Sequence, residues 1–142
     1  MPVVLGYDES PGAKRALGAA LEVAAAFGEP LVLVYGAAPP GARGEEYRAV
    51  QEALHETGRE ALDHAVAVAD EAGVPTTVEV IDQKPAQALL DSAARHGARV
   101  IVVGTWGESP MRGALLGSTP HKLLHLSTVP VLCVPSHVPG ED

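Results

Sequence analysis

One stretch of the chain concentrates groups suited to holding an anion. It reads Gly104-Thr105-Trp106-Gly107-Glu108-Ser109-Pro110-Met111-Arg112-Gly113-Ala114-Leu115-Leu116-Gly117-Ser118-Thr119. An apolar run precedes it and a helical pattern follows. Glycines at 104 and 107 let the backbone approach a ligand closely, and Gly117-Ser118 opens a helix whose free N–H groups face outward. The chemistry these groups offer is the cradling of a phosphate chain rather than covalent attack. A lone pair of glycines after a strand more often serves a turn. Here the pattern is longer: Gly, two residues, Gly, nine residues, Gly-Ser.

Other reactive side chains are sparser. Asp8 ends the first apolar run just before Ser10-Pro11-Gly12, where a carboxylate serves as a helix cap, as a ligand group, or as both. Arg112 could bring a charge to a phosphate from within the loop, although most loop arginines are solvated surface residues. His121 and His125 have the i, i+4 spacing of a metal pair, but they lack the His-Glu-x-x-His arrangement and an evident third ligand, so we expect no metal site. Cys133, the single cysteine, lies in an apolar run without a basic neighbour and reads as a small core residue. No Gly-x-x-x-x-Gly-Lys-Ser/Thr loop is present, since Gly117 is followed by Ser118 with no lysine. A receiver-type signalling site is disfavoured as well: Glu9 is offset from the position of an acidic pair, and Pro135-Ser136 stands where a lysine is needed. These features predict a binding protein, not an enzyme.

The elements that must position these residues follow from periodicity. Short apolar runs at 3–7, 31–35, 76–81, 99–103 and 129–134 predict five strands. Helical spacing at 13–27, 45–72, 85–96 and 118–126 predicts four helices between them, with Gly28, Gly73 and Gly97 as stops. Gly58 leaves the continuity of the second helix open, because a mid-helix glycine costs about 1 kcal/mol relative to alanine. Strands alternating with helices, and mostly apolar on both faces, indicate a parallel sheet covered on both sides, a doubly wound α/β fold. Function in such a sheet sits at the carboxyl ends of the strands.

Composition sets the outer limits. The 142 residues suit one domain, over 1–136, with 137–142 as a polar tail. With 46% hydrophobic and 20% charged residues the chain is expected to fold unaided. A formal charge of −8 argues against nucleic acid or an anionic membrane as partner, yet one small polyanion can still sit at a helix N-terminus. No apolar run approaches the roughly 20 residues of a membrane span, and one cysteine allows no intrachain disulfide. A cytoplasmic location is expected.

The glycine spacing and its place in the chain resemble the ATP-binding members of the universal stress protein family. The likeness covers essentially the whole chain: Asp8-Glu9-Ser10 after the first strand, a variable loop after the second, Pro85 opening the third helix, and the closing Val129-Pro130-Val131-Leu132-Cys133-Val134. It implies a Rossmann-like single domain with strand order 3-2-1-4-5. It implies further that Asp8 and the backbone of Gly6 and Tyr7 meet adenine or ribose, with Gly36 at the other wall of the base pocket. Val103 and Gly104 would line the ribose, and Gly107, Gly117, Ser118 and Thr119 would hold the phosphates. The implied ligand is ATP, or ADP or AMP, with Mg2+ bridging the phosphates. A homodimer through Val131–Val134 and an unidentified protein partner also follow from the resemblance. The alternatives are a nucleotide-free dimerisation module and a slow ATP hydrolase.

Overall fold

The computed structural model describes residues 1–39, 44–105 and 116–136. Along them run β1 (Val3–Gly6), α1 (Pro11–Phe27), β2 (Leu31–Gly36), α2 (Gly44–Glu71), β3 (Thr76–Ile81), α3 (Pro85–His96), β4 (Val100–Gly104), α4 (Ser118–Leu126) and β5 (Val131–Val134). The strands form one parallel sheet in the order β3-β2-β1-β4-β5, as expected. The expected tail at 137–142 lies outside the described residues.

Alternation along the central strands divides the core in two. Val3 and Leu5 of β1 enter a cluster under α1 and α2, while Val4 enters one under α3 and α4. All three are fully buried, which is why this strand reads as an unbroken apolar run. The edges depart from that expectation. β3 carries Glu79 toward α3, where Ser92 Oγ donates to it at 2.6 Å, Arg95 grips it through both terminal nitrogens, and His96 lies at 3.1 Å. Burial raises the Glu79 pKa, but these partners outweigh it and hold the carboxyl at about 2.

Local chemistry explains the element limits. α1 starts at Pro11, two residues before the sequence pattern suggests, because Ser10 is its N-cap and Pro11 occupies the first helical position. Gly28 and Gly97 end α1 and α3 in left-handed conformation, as glycine does at helix ends. Gly58 does not break α2. A Cβ there would stand 2.5 Å from Tyr35 Cδ1, so the glycine lets the helix lie against the β2 tyrosine. Among the described residues no helix is long and apolar enough to cross a membrane.

Candidate functional site

In this sheet α1 carries the chain from β1 to β2 on one side, and β4 pairs with β1 on the other. The strand order therefore reverses beside β1, and a crevice opens at the carboxyl ends of β1 and β4. A cleft of about 520 Å³, including its open mouth, lies there. Gly6, Tyr7 and Asp8 line it from the end of β1, Gly36 from β2, Val103 and Gly104 from β4, and Thr119 from α4. The structure thus brings seven of the expected residues together.

Missing side chains shape the walls. A Cβ on Gly6 would meet Leu89 Cδ1 at 2.9 Å and Val103 Cγ1 at 3.3 Å, so those two side chains form an apolar floor against the strand end. A Cβ on Gly36 would strike the Pro85 backbone at 2.7 Å and the Gln83 carbonyl at 2.8 Å. One on Gly104 would stand 3.0 Å from the Gly12 carbonyl group, which draws the first turn of α1 across the end of β4.

Asp8 braces the start of α1 without capping it. Its Oδ1 accepts from the Ser10 amide at 3.1 Å and the Ser10 hydroxyl at 2.6 Å, and Ser10 Oγ in turn accepts the Ala13 N–H at 3.1 Å. Both bonds fall on Oδ1. Tyr7 offers the cleft only its backbone, because its ring is buried under α1 and α2 and its hydroxyl donates to Glu9 Oε1 at 3.1 Å. Burial, the Glu9 bond and the negative charges of Glu9 and Asp8 push this phenol up to about 12. The Tyr7 N–H donates to the Val34 carbonyl at 3.0 Å, so this amide hydrogen is already used between β1 and β2.

At the helical end of the glycine segment the backbone is already engaged. The Gly117 N–H, a candidate phosphate donor, donates to the Thr105 carbonyl at 2.9 Å. The backbone there is extended, at φ −60° and ψ 165°, a conformation open to any residue. Gly117 and Ser118 do not line the cleft, whereas Thr119, one residue further on, does. Gly107, Trp106 and Arg112 lie outside the described residues.

Sequence reasoning missed Ser10, Ala13, Val34, Pro85 and Leu89 as lining residues. A signal for two of them was present: Pro85 and Leu89 stand four apart in the first turns of α3, and thus on one face, at the same end of the sheet as Asp8. Cys133 is partly buried, and burial pushes its thiol above the usual range. His121 and His125 stack edge to face with ring centroids 4.8 Å apart. Among the described residues no group of three His, Cys, Asp or Glu side chains could hold a metal ion.

Comparison with known proteins places these features in a lineage. A universal stress protein from Thermus aquaticus is 36% identical over 138 residues, covering 93% of this chain and 96% of its own. Matches to several other curated relatives span only about half of their length. Among solved structures, the universal stress protein from Archaeoglobus fulgidus in complex with dAMP superposes with a TM-score of 0.72 at 25% identity, covering 94% of this chain and 97% of that one. A universal stress protein in complex with cAMP gives a TM-score of 0.66 at 29% identity over 96% and 98% of the two chains. The profile of the universal stress protein family matches residues 1–135, and the chain belongs to that family.

Proposed function

We propose that this protein binds an adenine nucleotide in the cleft between β1 and β4 and works as a stress-response regulatory module, with no catalytic chemistry of its own. The observation that carries the reading is the cleft's composition at the topological switch point. Leu89 and Val103 offer an apolar floor to a base or sugar face, Asp8 offers a carboxylate oxygen to a hydroxyl or amine, and Thr119 stands in the first turn of α4. A helix start of that kind, with N–H groups that lack intrahelical acceptors, suits a phosphate. Relatives of the same fold that bind dAMP and cAMP support the assignment.

ATP is the nucleotide we favour, with ADP or AMP as the alternative ligands. Mg2+ would arrive with it on the phosphates, since the single carboxylate among the described lining residues, Asp8, is too few to hold the ion alone. The reading includes a cytoplasmic setting, in keeping with one unpaired cysteine. It also includes a homodimer through the free edge of β5, where Leu132 is 38% exposed. Calorimetric titration of the full chain with ATP, ADP, AMP and cAMP tests the proposal. Saturable one-to-one binding of an adenine nucleotide, weakened by Asp8→Ala, is expected. Absence of binding by all four overturns it.

A further inference from the structure

Among the described residues Glu9 is the one non-glycine with a positive φ, at +66°. The left-handed region is unfavourable for a side chain of this length, and it persists only where the surroundings hold it. Glu9 also stands between two residues that matter to the cleft: Asp8, which lines it, and Ser10, which caps α1.

The holding groups are Tyr7 and His64. Glu9 Oε1 accepts from the Tyr7 hydroxyl at 3.1 Å, and Oε2 pairs with His64 Nδ1 at 2.5 Å. The Tyr7 ring is only 4% exposed and is fixed in the core under α1 and α2, while His64 comes from α2 itself. The carboxylate thus bridges the buried tyrosine and a histidine of the neighbouring helix whose side chain is 67% exposed. The Asp8–Ser10–Ala13 bonds, by contrast, tie the turn to the start of α1 alone. They shape the turn locally, whereas the Glu9 bonds reach a core side chain and a second helix.

We propose that Glu9 is a positioning residue: its carboxylate, held by Tyr7 and His64, keeps the 8–10 turn in the backbone conformation that presents Asp8 to the cleft. The ligand side of this inference rests on the nucleotide reading above, but the clamp does not. A turn ordered before the ligand arrives need not be ordered by it, which is where the gain in affinity comes from.

Three substitutions separate the clamp from simple strain. Glu9→Asn keeps a residue that tolerates positive φ, with a side chain too short to reach both partners. Glu9→Gln keeps the reach and an acceptor oxygen, and His64→Ala removes the α2 anchor. In the ligand-free protein, Glu9→Asn is expected to speed amide exchange at Ser10 about tenfold, because its N–H bond to Asp8 opens more often. AMP affinity should fall about threefold to tenfold through lost preorganisation. His64→Ala should act in the same direction, and the double variant should be no worse than Glu9→Asn, as members of one unit are not additive. Glu9→Gln should retain most of both properties. Wild-type exchange at Ser10 in Glu9→Asn overturns the clamp, as do strictly additive losses or a lowered melting temperature with exchange unmoved. If the wild type fails to bind AMP, the nucleotide reading falls, and Ser10 exchange still decides the clamp.

Discussion

Asp8 braces the α1 cap through Oδ1 and Ser10, and in the proposed nucleotide site its other oxygen would meet the ligand. Asp8→Ala should therefore lower nucleotide affinity about tenfold and also destabilise the fold by about 1 kcal/mol, the usual scale for a lost helix-start interaction. Calorimetry and chemical denaturation read the two effects separately. Intact affinity in the folded variant would remove Asp8 from the site. The sequence made Asp8 visible because a carboxylate between an apolar run and Ser-Pro-Gly is conspicuous. It left the cap ambiguous, since Asp8 and Ser10 are both capable and only the Ser10 bond to Ala13 decides between them. Gly117 is ambiguous for a related reason. A glycine at a helix start is compatible with ligand approach, and nothing in the one-dimensional pattern reveals that Thr105 takes its N–H.

Elements were the most legible level. β3, α3 and α4 occupy the residues expected, and the other limits shift by one or two positions. What periodicity could not show is how α2 meets the sheet. Gly58→Ala adds a good helix former, yet the new Cβ would meet the Tyr35 ring. The crowding should prevail and destabilise the protein by about 1–3 kcal/mol, measured by urea denaturation, despite the gain of about 1 kcal/mol in propensity. A more stable variant would mean that Tyr35 repacks freely. The link between β3 and α3 has its own signature. Glu79 is held at about 2 against an ordinary 4.5, so the folded state keeps it ionised where the unfolded chain would protonate. Its contribution is full above pH 4.5 and fades as pH falls from there toward 2. Glu79→Gln should flatten that part of the stability profile, and an unchanged acid limb would place the dependence elsewhere.

For the molecule as a whole, the parallel sheet ends in two dissimilar edges. β3 is fastened to α3 through Glu79, whereas the β5 edge bears an exposed Leu132, and Leu124 and Leu126 are also exposed on α4 nearby. An open edge strand without an inward charge invites pairing, and the surrounding Pro130 and Pro135 would keep a two-fold contact short. Leu132→Lys should shift a dimer toward monomer in light scattering while leaving nucleotide affinity largely intact. A wild-type monomer at micromolar concentration would refute the dimer, and a dimer indifferent to the charge would move the interface. Strand order itself came from the family resemblance, because pairing of β1 with β4 joins residues about a hundred positions apart that no local pattern connects.

The three glycines of the cleft wall differ in what opposes them, and this sets how the lineage can drift. Opposite Gly6 stand the tips of Leu89 and Val103, which rotate, so an added methyl group there can be absorbed. Opposite Gly36 stands the Pro85 backbone at 2.7 Å, which cannot yield without moving the start of α3, and opposite Gly104 the Gly12 backbone at 3.0 Å, where α1 would have to give slightly. A single-methyl substitution at either of these two positions would displace α3 or α1 at the mouth of the cleft while the sheet beneath keeps its pairing. In the proposed nucleotide-binding chain, loss of the ligand is therefore expected first at 36 or 104, leaving a folded scaffold that differs from a binding form by one carbon atom.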